Sequence, residues 1–216
     1  MKRKMLFITS AVVLLTVFIV GTLLYKSEKA QQSSQAVASN QANLVRFYSP
    51  TTGNPEAKVH IVEFLDPACE TCRAFYPYVK QIMAANPDKI RLSIRHVPFH
   101  NGSDYVVKVL EATKRQGKYW QTLEAVLAAQ PSWAVNHTAQ PDKVWKAIEG
   151  LGLNLEQVKI DMNAPDIAQR LEQDLKDAKS LNVTKTPEFF VNGRPLPSFG
   201  LEQLQTLVKE ALQAAY

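Results

Sequence analysis

Cysteine is almost missing from this chain: two residues in 216, Cys69 and Cys72. A framework of stapling disulfides, the common use of cysteine in exported proteins, is therefore excluded. Glycine is sparse as well, at eight residues, which rules out a collagen-like repeat. No internal repeat is visible. A composition of 46% hydrophobic and 21% charged residues excludes wholesale disorder and suits a chain with one real core. A positive surplus is also missing from most of the chain. The net charge is +5, but residues 1–30 hold five basic residues against Glu28, leaving twenty basic and nineteen acidic residues elsewhere. A nucleic-acid footprint needs a clustered basic face on the folded domain, so that class is set aside.

What is present first is an uncharged apolar run, Met5–Tyr25, preceded by Lys2, Arg3 and Lys4. At ~1.5 Å per residue, such a helix reaches roughly 30 Å, enough to cross a bilayer. Cleaved signals have shorter apolar cores closed by a small-x-small site. The nearest such triplet, Ala36-Val37-Ala38, lies well past the end of the run. The expectation is an uncleaved signal anchor over 5–25, a cytoplasmic stub at 1–4, and the bulk of the chain outside the cytoplasmic membrane, on the periplasmic side. Residues 26–43 are small and polar and read as a flexible tether of about 20–25 Å.

From Leu44 onward strand and helix patterns alternate. Leu44–Tyr48 reads as a short first strand, and Val59–Leu65 as a strand buried on both faces. Cys72, Phe75, Val79, Ile82 and Met83 follow at helical spacing until Asn86-Pro87. Ile90, Leu92, Ile94 and His96 alternate as another strand. Helical stripes then run through Val106, Val109, Leu110 and Thr113; Trp120, Leu123, Val126 and Leu127; Val144, Trp145 and Ile148; and Ile167, Leu171, Leu175 and Ala178. The three tryptophans are read as core. Glu188–Val191 returns to strand, Asn192-Gly193 is a hairpin turn needing positive φ, and Leu201, Leu204, Val208 and Leu212 mark a last helix. The expected fold is an α/β sheet protein over 44–216 with a helical insertion at about 99–180.

Both cysteines belong to one motif, Cys69-Glu70-Thr71-Cys72. Two intervening residues close too short a loop to stabilise a fold, but suit a dithiol that opens and closes. The motif falls where strand Val59–Leu65 gives way to a helix. There the exposed N–H groups and the macrodipole favour an anion, so Cys69 is the attacking thiolate and Cys72, one turn on, resolves. Two metal alternatives stand beside this. His96 and His100 could complete a zinc site, although Pro98 keeps them off one helix face. An extracytoplasmic CxxC can also hold Cu(I).

The segments IVEFLDPACETCRAF and VTKTPEFFVNGRPLP together resemble the thioredoxin-fold proteins of the DsbA-like group. The resemblance covers roughly 44–216 and implies a thioredoxin-like fold with a helical insertion. It also implies a thiol:disulfide oxidoreductase that needs no cofactor, acting on protein substrates and recycled by a membrane redox partner. Pro187 is then the cis-proline of a loop beside the cysteines, and Thr186 offers its backbone to a substrate strand. Glu63 is a carboxylate out of place in a buried run, and in the family an acid here moves protons at the buried cysteine. The sequence departs from the family pattern at Lys185 and between the cysteines, where Glu70-Thr71 is neither Pro-His nor Gly-Pro. An acid beside Cys69 disfavours its thiolate, so Glu70 and Thr71 are expected to tune the pair toward a milder oxidant, with Arg73 and the helix dipole opposing. A dithiol oxidase leads; a reductase or isomerase of the same fold, or a tethered Cu(I)-binding protein, is the alternative.

Overall fold

In the computed structural model, the described residues are 43–136 and 138–216, with Leu14–Thr16, Phe18 and Val20–Thr22 near the N-terminus. The chain divides into a unit of Met1–Ser39 and one of Asn40–Tyr216. In the first, the described residues are helical. The expected span over 5–25 lies mostly outside the described residues, among which no helix is long and apolar enough to cross a membrane.

The second unit is built on a sheet ordered β1-β3-β2-β6-β7 among the described residues. Its strands are β1 (Thr51–Gly53), β2 (Val59–Leu65), β3 (Ile90–His96), β6 (Glu188–Val191) and β7 (Arg194–Pro195). β2 runs parallel to β3 and antiparallel to β6, with Glu63 opposite Ile94 on one side and Phe189 on the other. Helix α1 (Glu70–Ala84) makes the β2–β3 crossover and continues through Pro77. The insertion between β3 and β6 comprises α2 (Ser103–Lys114), α3 (Tyr119–Ala128), α4 (Gln130–Trp133), the ribbon β4–β5 (Ala134–Val135, Thr138–Ala139), α5 (Pro141–Ile148), α6 (Leu155–Asp161) and α7 (Pro165–Ser180). Helix α8 (Leu201–Ala215) closes the chain.

Side chains of a strand alternate between faces, so β2 feeds two cores. Val59, Ile61 and Leu65 join the large one with α1, α8 and the insertion. Val62 and Phe64 join a smaller one with Leu44, Val97, Ala178, Val183 and Phe190. Glu63 therefore lies on the α1 face between Ile61 and Leu65. The hairpin expected at Asn192-Gly193 is present, with φ of 48° and 82°.

Two local expectations are corrected. Leu44–Tyr48 is not a strand; the edge strand is Thr51–Gly53, paired with β3. The carbonyls of Asn43 and Leu44 accept from the Arg95 guanidinium at 2.7 and 2.8 Å, and Arg46–Ser49 folds into a turn closed by its own backbone. Those groups are no longer available for a ladder. In α7, Leu175 faces solvent, while Asp174 and Asp177 point inward because Arg95 is buried opposite them. Of the tryptophans, Trp133 is fully buried, whereas Trp120 and Trp145 are half-buried against the core.

Candidate active site

β2 ends at Leu65, and the chain turns through Asp66-Pro67-Ala68 into α1, with Cys69 as the helix N-cap. Its backbone is extended (φ −76°, ψ 118°), which turns Sγ back over the first helical turn. There it accepts the Cys72 N–H at 3.4 Å, and as a thiol it donates to the Thr186 carbonyl at 3.3 Å. An N–H donor thus faces a sulfur at a helix start, where an anion is favoured. The Cys69 thiol is held down to about 5, chiefly by the hydrogen bond from the Cys72 side chain; burial opposes this, and the Thr186 side chain and the N–H groups of Cys72 and Thr71 add to it. Cys72 is fully buried on the inner side of α1. Burial pushes its thiol well above the usual value, reinforced by its hydrogen bond to Cys69 and by the charge on Glu63. The two sulfurs, one turn apart, are thereby made unlike.

Glu63 lies on the same face of the sheet as the cysteines and is wholly buried, with no hydrogen-bond partner for either carboxylate oxygen. Burial, and next the charge on Cys69, push it up to about 8. A group so placed exchanges its proton in the neutral range. The Thr186–Pro187 peptide bond is cis, as the resemblance implies. Glu70 is exposed, where solvent screens its charge, and Thr71 is half-buried. Beside the pair, the Phe75 ring stacks on Phe189 and lies 5.0 Å from Phe199, which is exposed.

Cys69, Cys72, Glu63, Thr186 and Pro187 thus gather at one end of β2. His96 and His100 do not join the cysteines as ligands. The His96 ring is buried against the Tyr119 hydroxyl at 2.8 Å, and the His100 ring meets Asp66 at 2.6 Å. Among the described residues no three His, Cys, Asp or Glu side chains converge as metal ligands.

Two residues of the site were not legible beforehand. Asp66 is fully buried and accepts the Ala68 N–H at 2.9 Å, the His100 N–H at 2.8 Å and the Ser103 hydroxyl. Gln130, also buried, donates to the carbonyls of Pro67 and Cys69 at 2.7 and 2.9 Å and accepts from Arg73 at 3.0 Å. The Asp66-Pro67 pair carries a turn signal that could have marked the first. Gln130 has no such mark, because its partners are more than fifty residues away.

A CxxC at the head of a helix, a buried acid behind it and a cis-proline loop across from it, on this sheet order, define a thioredoxin-fold redox protein. The comparisons agree. The Thioredoxin_4 family model (Thioredoxin) matches residues 47–210. A thioredoxin-like oxidoreductase from Silicibacter pomeroyi DSS-3 is 31% identical, with 81% of this chain and 99% of that one covered and a TM-score of 0.70. BdbD from Bacillus subtilis (20% identical, 77% and 94% covered, TM-score 0.67) shares the fold. So does the thiol-disulfide exchange protein alpha-DsbA2 from Wolbachia pipientis (20% identical, 85% and 97% covered, TM-score 0.69). Among curated sequences, the protein named Na(+)/H(+) antiporter NhaA of Herminiimonas arsenicoxydans is 29% identical over 159 residues, covering 74% of this chain. The chain spans about a quarter of the length of the curated relatives it matches. The chain belongs to the thioredoxin family.

Proposed function

We propose that this protein is a dithiol oxidase acting outside the cytoplasm, held at the membrane by residues 5–25, with Cys69 as the exchanging sulfur and Cys72 as its buried partner. The observation that carries the reading is the unlike setting of the two sulfurs: Cys69 caps α1 and accepts the Cys72 N–H at 3.4 Å, which favours its thiolate, while Cys72 is fully buried behind it, which disfavours its own. A dithiol whose exchanging member is a stable anion is a strongly stabilised reduced form, and the corresponding disulfide is oxidising.

In the oxidised protein, a substrate thiolate attacks the Cys69 sulfur. The Cys69–Cys72 bond breaks, Cys72 leaves as a thiolate, and the carboxylic acid of Glu63 supplies its proton. A second substrate thiolate then attacks the substrate sulfur of the mixed disulfide, and Cys69 departs as its stabilised anion. Two electrons pass from the substrate dithiol to the pair, and a membrane redox partner removes them. Thr186 meets Cys69 through its carbonyl, and in this reading its backbone, ahead of Pro187, pairs with an extended substrate strand. Glu70 and Thr71 set the fine balance of the thiolate. In the opposite direction Cys69 would attack a substrate disulfide, but its stability as an anion makes it a better leaving group than nucleophile.

The test is oxidation of a reduced, unfolded cysteine-containing protein by the preoxidised enzyme. Wild type is expected to form substrate disulfides stoichiometrically, and Cys69→Ser to lose at least about a thousandfold in rate, since only the thiolate exchanges. Wild-type activity confined to reducing insulin, with no oxidation of thiols, would defeat the oxidase direction.

A further inference from the structure

The turn that carries Cys69 is tied down on both sides by side chains of the insertion and its entrance. Within the turn, the Cys69 N–H reaches the Asp66 carbonyl at 3.0 Å. The Asp66 carboxylate is held by His100, just ahead of α2, and by Ser103, its first residue. From the other side comes Gln130, which opens α4. Its amide nitrogen donates to two backbone carbonyls of the turn, Pro67 and Cys69, and its amide oxygen accepts from Arg73 in the first turn of α1. The Cys69 carbonyl already accepts the Arg73 N–H at 3.2 Å, the first bond of the helix. One side chain therefore braces the carbonyl before the motif, the carbonyl of its first cysteine, and the guanidinium just after it. A buried amide with three hydrogen bonds is costly to place unless all three are made. Nothing in the core of the insertion requires a polar group at this position.

Resting on the thiol-exchange reading above, we infer that Gln130 is a positioning residue for Cys69: it holds the Pro67–Cys69 backbone in the extended N-cap conformation that aims Sγ at the Cys72 N–H and Thr186. The helical insertion thus takes part in the chemistry by fixing the sulfur, without touching substrate. When the brace is removed, the turn is free to rotate about the Cys69 backbone, and the donors that stabilise the thiolate are no longer aligned.

The test uses the full chain and two measurements: thiolate ultraviolet absorbance against pH, which reads Cys69, and equilibration with glutathione, which reads the pair. Gln130→Met keeps the length of the side chain and removes all three hydrogen bonds, whereas Arg73→Met removes the contact to the amide oxygen together with the guanidinium charge. Gln130→Met is expected to raise the Cys69 midpoint by about one unit and to shift the glutathione equilibrium about tenfold toward the protein disulfide, roughly 30 mV for a two-electron couple. Arg73→Met is expected to do distinctly less. Should Gln130→Met fail to fold, Gln130→Asn, whose amide stops one methylene short, is read in the same titration and is expected to move in the same direction. An unchanged midpoint in the folded variant, or a shift fully reproduced by Arg73→Met, overturns the positioning role. A wild type that cannot exchange disulfides overturns the proposed function instead, and the titration still decides the role of Gln130.

Discussion

On the α1 face of the sheet, Glu63 buries a carboxylate with neither oxygen hydrogen-bonded. On the opposite face, Asp174 and Asp177 are also buried, but Arg95 meets them at 2.8 and 2.6 Å, Arg46 adds a 2.6 Å contact to Asp177, and the Tyr48 hydroxyl a 2.7 Å bond to Asp174. The register that sets Phe64 beside Arg95 places this network on the other side of β2 from Glu63, one residue away along the strand. The same strand pair thus buries acids in two ways. Where the charge is matched, Asp177 is held below the usual carboxylate range by its two arginines against the opposing effect of burial. Where it is left unmatched, the acid is driven up to about 8 and becomes a proton donor at neutral pH. Matched burial fastens α7 and the segment around Leu44 to the sheet; the unmatched acid of β2 lies on the face that carries the sulfurs.

The contrast can be broken from either side. Arg95→Met leaves two buried carboxylates without their shared cation and is expected to lower stability by about 3–5 kcal/mol, read as a fall in the urea midpoint. An unchanged midpoint would mean that the network is not holding the fold. Glu63 should behave oppositely with pH. Its unfolded carboxyl ionises near the ordinary 4.5 and its folded one only at about 8. Stability conferred by the protonated form is therefore complete at low pH and is lost as pH rises through that window, a drift of a few kcal/mol. Urea titrations across pH should show this drift in wild type and not in Glu63→Gln; parallel curves would show that Glu63 ionises normally. For Asp177, held low, the sign reverses, and its contribution disappears only as pH falls through its depressed value. In exchange kinetics Glu63→Gln should slow the step that releases Cys72 by about a hundredfold at neutral pH, as loss of a general acid does. Rapid mixing of the oxidised protein with a small thiol reads that step directly. The smallest effect is expected at Glu70, exposed beside the motif: Glu70→His should raise the reduction potential by no more than about 30 mV, because solvent screens the charge it replaces. A fall on that substitution would show that the acid does not restrain the oxidant.

Much of this site is local, and the local part is legible in the sequence. The continuous apolar run Val59–Leu65 marks the central strand, its one acid marks Glu63, and the motif at the strand's end marks the reactive helix start. Thr186-Pro187 was reachable only through resemblance, because spacing says nothing about which distant loop returns to a cysteine. The misreadings are all long-range. Leu44–Tyr48 has the composition of a strand, but its carbonyls are claimed by an arginine fifty residues on. The α7 stripe reads as leucines because two aspartates facing inward make sense only once Arg95 is known to be buried opposite. Gln130 looks like any polar residue beside a proline, and its meaning lies wholly in two carbonyls contributed by another part of the fold.

The separation of Cys69 from Thr186 along the chain, 117 residues, bears on how the protein is made. A growing polypeptide emerges with both sulfurs long before the segment that will lie across from them. Until β6 zips onto β2, and α4 has docked against the turn, Cys69 lacks its Thr186 and Gln130 partners and is left with the donors of its own helix start alone. The half-built molecule holds its sulfur by one side only, and the second side is closed when its own last third has arrived.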